Sequence, residues 1–170
     1  MIDIKKVIED SAELKHLMLN NCLNEIESAV DIMIDAAKKG NKILWCGNGG
    51  SAADAQHMAA ELMGGLRTHD RPAIASLALT TDSSFITAWS NDTDYESIFS
   101  RQIEALGNED DILVGISTSG NSNNVINAIN AAKTKKLKVI ILTGKAGGKM
   151  VGMGDVSICV PSNDTQRIQE

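Results

Sequence analysis

Apolar side chains open the chain at helical spacing. Leu14, Leu17, Met18 and Cys22 lie three or four positions apart, and Ile26, Ala29, Val30 and Met33 repeat the pattern. Residues 1–39 are therefore expected to be helical. Asn20 and Asn21 mark a break between two helices, and Gly40 follows Lys38 and Lys39 as a residue suited to close the second. Beyond Gly40 the grammar changes to short apolar runs alternating with amphipathic stretches. Ile43 to Cys46 is the first run, followed by a helix over Ala52 to Met63 rich in Ala, Met and Leu. Ala73 to Leu79 is the second run, and a helix over Ile98 to Leu106 follows. Ile112 to Ile116 is the third, ahead of a helical face formed by Val125, Ile126, Ile129 and Ala132. Val139 to Leu142 and Val156 to Val160 complete the set; Pro161 stops the last, and Asp164 or Thr165 caps one more helix. Near-continuous apolar strands separated by helices predict an α/β fold, a parallel sheet covered on both faces. The expected organisation is a helical extension over 1–39 and one α/β domain over 40–170, without a linker or low-complexity segment.

Composition narrows the function classes. The 170 residues suffice for one domain with a core. No run approaches the ~20 apolar residues of a membrane span. Met1 to Asp10 alternates charged and aliphatic residues, unlike a secretory signal. A net charge of −6 argues against a nucleic-acid surface, which needs clustered Lys and Arg. Aromatic residues make up 3%, too few for base-stacking platforms. Cys22, Cys46 and Cys159 are odd in number and widely spaced, so they read as free thiols of a cytoplasmic protein.

Two polar loops carry the chemistry. Each stands at the carboxyl end of a predicted strand and opens a helix, the edge at which open α/β sheets bind ligands. Helix N-termini there present free N–H groups and partial positive charge to anions. The loop Ser117-Thr118-Ser119-Gly120-Asn121-Ser122 holds four hydroxyls and no Lys or Arg. It can surround a phosphate dianion with neutral donors; the same residue types also cap helices and fill turns. The loop Gly47-Asn48-Gly49-Gly50-Ser51 is neither a P-loop nor a dinucleotide fingerprint. Its glycines let a ligand approach the backbone, and Asn48 and Ser51 can bond sugar hydroxyls; a plain strand-to-helix turn has the same composition.

His57 and Glu61 are four residues apart on the helix leaving the glycine loop, hence on one face. An imidazole and a carboxylate so placed can share a divalent metal or transfer protons, or simply form a solvated stripe. Asn91 and Asp92 add a polar pair for which an Asx turn is the ordinary explanation.

These residues carry a resemblance. The segment CGNGGSAADAQHMAAEL (46–62) resembles the first signature of the sedoheptulose 7-phosphate isomerases of the sugar isomerase (SIS) superfamily. LALTTD (77–82), Asn91-Asp92, FSRQIEALG (99–107), GISTSGNS (115–122), LTGKAGGKM (142–150) and RIQE (167–170) follow in the family's order. GISTSGNS alone would indicate only the superfamily; its combination with His57, Glu61 and RIQE is more specific. The resemblance implies a SIS domain with a flavodoxin-like five-stranded parallel sheet flanked by helices, assembled as a homotetramer with active sites between subunits. It implies isomerisation of sedoheptulose 7-phosphate to D-glycero-D-manno-heptose 7-phosphate, a precursor of bacterial lipopolysaccharide or capsule heptoses, without a nucleotide cofactor. Ser117, Thr118, Ser119 and Ser122 match the phosphate loop, assisted by Ser51. Asn48, Gly49, Gly50, Asn91 and Asp92 match substrate contacts. His57, Glu61 and Gln169 match zinc ligands; Gln169 also counts among the substrate contacts, and Glu61 matches both a substrate contact and the catalytic acid/base.

The chemistry agrees: moving a proton between C1 and C2 needs a base for a carbon-bound proton and an electrophile for the developing oxyanion. One departure stands out. The family carries a final histidine further along the last helix, a zinc ligand and catalytic partner, whereas this sequence stops at Glu170 and neither His16 nor His69 matches it. The resemblance thus implies an incomplete ligand set and a last helix cut short. Two alternatives stay open. One is a non-enzymatic SIS regulatory protein of the replication-initiator-binding type, although a scaffold has no need of an acid/base pair. The other is an isomerase for another sugar phosphate.

Overall fold

Five parallel strands form one sheet in the order β2-β1-β3-β4-β5 in the computed structural model, which describes residues 3–170. The strands are β1 (Ile43–Gly47), β2 (Ser76–Ala78), β3 (Ile112–Ser117), β4 (Lys138–Gly144) and β5 (Val156–Val160). Seven helices surround them: α1 (Ile4–Asn21), α2 (Leu23–Lys38), α3 (Gly50–Gly64), α4 (Ser83–Asp92), α5 (Ile98–Leu106), α6 (Asn123–Thr134) and α7 (Thr165–Gln169). The helical stretch expected over residues 1–39 is divided into two helices, as expected, with the break at Cys22, directly after Asn21; its N–H bonds Met18 O. Residues 1 and 2, included in that expectation, lie outside the described residues. Gly40 has φ +78° and closes α2 as expected.

The period of two along each strand sorts side chains into two cores. Leu44, Cys46, Leu113, Val139 and Ile141 face α5 and α6, meeting Phe99, Ile103, Val125 and Ile129. Ile43, Trp45, Ile112, Val114 and Ile140 face the opposite way, towards Ala29 and Ala36 of α2 and Ala55 and Ala59 of α3. The small alanines let α3 lie close to the sheet. Each fully buried aliphatic side chain contributes ~1.5–3 kcal/mol. The indole N–H of Trp45 donates to Ser76 Oγ at 2.9 Å, so the largest buried side chain leaves no orphaned donor.

Two expectations need correction. The run Ala73 to Leu79 yields only the three-residue β2. Its first part instead lies along α3, where Ile74 N–H bonds Leu62 O at 3.3 Å. Asn91 and Asp92 do not form a turn: they are the last residues of α4, an unexpected helix. Asp82 starts it by accepting from Phe85 N–H at 2.9 Å. None of its residues is fully buried, which is why no apolar stripe announces it.

The order of the sheet decides where a ligand can sit. From β1 the chain moves outward to β2, then returns across β1 to place β3 on its other side. The β1/β3 boundary is therefore the topological switch point, with a crevice at the carboxyl ends of its strands. Register pairs Gly47 with Ile116, so the loops leaving β1 and β3 emerge side by side. They are the two polar loops singled out above.

Candidate active site

The loop after β1 is short because α3 begins at once. A Cβ on Gly47 would lie 2.7 Å from that of Ser51, so only glycine allows this entry of helix onto strand. Gly49 has φ +57° and precedes α3 without a side-chain cap. Ser51 is 5% exposed, and its Oγ donates to Gln169 Oε1 of α7 at 3.2 Å. Gly50 lies directly under the same amide, since a Cβ there would be 3.3 Å from Gln169 Oε1. Gln169 Nε2 in turn donates to Asp54 Oδ2. The structure thus joins Gly50, Ser51, Asp54 and Gln169 across two helices distant in sequence.

The loop after β3 turns at Gly120, φ +64°. Three hydroxyls converge there: Ser117 Oγ stands 3.0 Å from Ser122 Oγ and 3.4 Å from Ser119 Oγ. Ser117 is 4% exposed, whereas Ser119 faces solvent. Ser122 occupies the N-cap position of α6 but makes no side-chain cap bond, its hydroxyl being turned towards Ser117. The segment after β4 braces the loop from behind. Gly144 N–H bonds Thr118 O at 3.1 Å, Lys149 N–H bonds Asn121 Oδ1 at 3.1 Å and Met150 N–H bonds Gly120 O at 3.0 Å. Thr118 lines a cavity of about 450 Å³ together with Asp54, His57, Thr143, Ile168 and Gln169. Thr143 Oγ1 is buried without a hydrogen-bond partner, leaving polar capacity on that wall.

His57 and Glu61 meet as their spacing implies. His57 Nε2 is 3.3 Å from Glu61 Oε1, with the imidazole largely exposed and the carboxylate about two-thirds buried. Arg71 Nη2 donates to Glu61 O at 2.8 Å and Leu62 O at 2.7 Å, which secures the last turn of α3. Asp54 lies one turn before His57. Burial pushes its carboxyl above the usual carboxylate range, and the nearby imidazole partly offsets this. Asn91 and Asp92 bond each other at 2.9 Å at the end of α4, but no hydrogen bond among the described residues ties them to either loop.

Two groups of residues were missed. Asp54 is at i−3 from His57, a signal the helix spacing offered. Asn124 and Tyr95 both bond Asn48, and nothing local to their sequence positions indicates it.

Ligands bound to zinc at 2.0–2.2 Å in a tetrahedron stand roughly 3.3–3.6 Å apart. The 3.3 Å between His57 Nε2 and Glu61 Oε1 fits such an edge. No group of three or more His, Cys, Asp or Glu fit to hold a metal occurs among the described residues.

The comparisons fall on this same framework. A model of the SIS domain matches residues 8–144. A phosphoheptose isomerase of Aliarcobacter butzleri is 56% identical over 145 residues, spanning 85% of this chain and 76% of the relative. That of Aromatoleum aromaticum is 50% identical over 170 residues, spanning 98% of this chain and 85% of its own. The solved phosphoheptose isomerase from Neisseria gonorrhoeae superposes with a TM-score of 0.91 at 44% identity, covering 98% of this chain and 88% of that one. With the strand order, both loops and the His57–Glu61 pair in place, the chain belongs to the phosphoheptose isomerase family of SIS-domain proteins.

Proposed function

We propose that this protein converts sedoheptulose 7-phosphate to D-glycero-D-manno-heptose 7-phosphate through an enediol. One observation carries the reading: the segments that leave the two strands of the switch point carry a cluster of neutral hydroxyls, on the loop after β3, and an acid/base pair, on α3, the helix that follows β1. Ser117, Thr118, Ser119 and Ser122 bind the phosphate with hydroxyls and the N–H groups of α6. Asn48, Gly49, Gly50, Ser51, Asn91, Asp92 and Gln169 contact the sugar chain. The carboxylate of Glu61 removes a proton from C1 of the ketose and returns it at C2, while the carbonyl oxygen gains a proton and the C1 hydroxyl loses one. Glu61 ends the cycle as it began, so no redox or nucleotide cofactor is consumed.

His57, Glu61 and Gln169 are the residues that would hold zinc. The bound ion would polarise the substrate carbonyl as a Lewis acid. The fit of the His57–Glu61 distance to a tetrahedral edge supports this assignment.

We read residues 1–39 as an extension that covers one sheet face and serves assembly into a homotetramer with sites between subunits. Val30 is 47% and Ile34 44% exposed on α2, more apolar surface than one flank of a sheet leaves to water. Light scattering would show four copies; a monomer at all concentrations refutes assembly. A cytoplasmic location accords with three free cysteines. No helix among the described residues is long and apolar enough to cross a membrane.

The direct test is incubation with sedoheptulose 7-phosphate and with shorter ketose phosphates, following aldose formation. Turnover confined to the heptulose establishes the substrate. Turnover only of a shorter sugar refutes the proposed specificity, and protein that binds phosphate without turnover refutes catalysis.

A further inference from the structure

Asn48 stands on the loop after β1 and Asn124 in the first turn of α6, on opposite sides of the switch point. Asn124 is 4% exposed. Their carboxamides pair reciprocally: Asn124 Nδ2 donates to Asn48 Oδ1 at 2.8 Å, and Asn48 Nδ2 donates to Asn124 Oδ1 at 2.9 Å. Turning both amides over would leave such a pair unchanged. The backbone settles the direction. Val125 N–H donates to Asn124 Oδ1 at 3.0 Å, and only an oxygen can accept there. The nitrogen of Asn124 must therefore face the oxygen of Asn48.

Tyr95 adds the second constraint, its hydroxyl donating to the same Asn48 Oδ1 at 3.0 Å. Both lone pairs of that oxygen are then engaged. One hydrogen of Asn48 Nδ2 is engaged with Asn124, and the other remains. A free asparagine offers a ligand both donor and acceptor; this one offers a single N–H.

We propose that Asn124, assisted by Tyr95, is a positioning residue that holds Asn48 as a donor-only contact for a sugar oxygen. The inference rests on the proposed role of Asn48 in binding substrate. The bond also couples the loop after β1 to the start of α6, so that the sugar contact is set in register with the phosphate cradle beside it. A donor in that place selects an oxygen with a free lone pair, carbonyl or hydroxyl, and rejects a group that can only donate.

The test is a set of thermodynamic cycles read by calorimetry, with sedoheptulose 7-phosphate and inorganic phosphate as the two probes. N48A and N124A should each weaken sugar-phosphate binding by about 3–10-fold, the effect of one hydrogen bond. Both should leave inorganic phosphate within about twofold, although Asn124 adjoins the phosphate loop. The double variant should bind no more weakly than N48A within about twofold, because Asn124 acts through Asn48. Y95F, at an exposed position that carries no folding risk, should cost about 2–3-fold in the native background and nothing in N48A. Additive losses, or equal weakening of inorganic phosphate by N124A, would overturn the positioning role and leave Asn124 as support for α6. Unchanged sugar-phosphate affinity in N48A would overturn the substrate contact and the positioning role with it. Native protein that binds inorganic phosphate but no sugar phosphate would refute the proposed function itself.

Discussion

Gly120→Ala tests whether the proposed phosphate loop is held by contact between backbones. Gly120 has φ +64°, which costs an L-residue ~1–2 kcal/mol. Alanine recovers ~0.4–1 kcal/mol by restricting the unfolded chain. Were that all, the net loss would be about 1 kcal/mol. The structure adds a second term. A Cβ on Gly120 would lie 2.6 Å from the carbonyl carbon of Gly147 and closer still to its oxygen, and 3.0 Å from Gly148 N. No side chain stands there to swing away, so the two segments must part. Parting them breaks the bonds from Met150 N–H to Gly120 O and from Lys149 N–H to Asn121 Oδ1. At ~0.5–1.5 kcal/mol each, these add ~1–3 kcal/mol. Gly40→Ala is the control, since Gly40 has φ +78° but nothing within 4 Å of an added Cβ. Urea unfolding should then show G120A less stable than G40A by ~1–3 kcal/mol. Heating should lower its Tm by roughly 2–4 °C per kcal/mol. Inorganic phosphate at saturating concentration should raise the Tm of G40A and fail to raise that of G120A. Equal destabilisation of the two variants, with phosphate protecting both, would refute the bracing of the loop.

Three further outcomes are expected. Glu61→Gln removes the proposed base while keeping size, so kcat should fall by at least about 10²–10⁴-fold with substrate still bound, and near-normal turnover would move the role to Asp92 or to another group. Ser119→Ala should weaken phosphate by ~1–3 kcal/mol and change stability by less than ~0.5 kcal/mol, because Ser119 is exposed; calorimetry and urea unfolding read the two separately. Burial pushes the Cys46 thiol up to about 12. Below its ordinary range both folded and unfolded chains hold the proton; above it only the unfolded thiol ionises, so folding stability is lost as pH rises. Between pH 8 and 10 the native protein should lose about 1.4 kcal/mol more than C46A, and equal losses would show the thiol to be accessible.

Much of the fold was legible in the sequence. The apolar runs of β1 and β3 are buried on both faces, so continuity of hydrophobic residues revealed them. α5 was legible to the residue because four of its side chains are buried on one face. α4 was illegible because its start depends on the Asp82 cap and it buries nothing completely. β2 is shorter than its run because that run is shared between the sheet edge and α3. Among site residues, the hydroxyl cluster and the His57–Glu61 pair are local in sequence and could be read there. Asn124 could not: its partner lies 76 residues away, and one asparagine among Asn121, Asn123 and Asn124 carries no mark of it. Asp54 was within reach of helix spacing, but its tie to Gln169 crosses 115 residues.

None of the described residues of the helix α7 is fully buried. Ile168 packs over Gly144 of β4, and a set of polar ties adds to it: Gln169 to Ser51 and Asp54, Arg167 to Val7 O, and Glu170 to Ser11. Those ties span 115 to 160 positions of chain. They close only after the sheet exists to carry α3, since closure of so long a loop must be compensated by contacts already made. The wall of the cavity that Gln169 supplies is therefore expected to assemble late. It is expected to open before the sheet does. Amide exchange at Ile168 should run ahead of exchange in β3, and a ligand that reaches Gln169 should slow it.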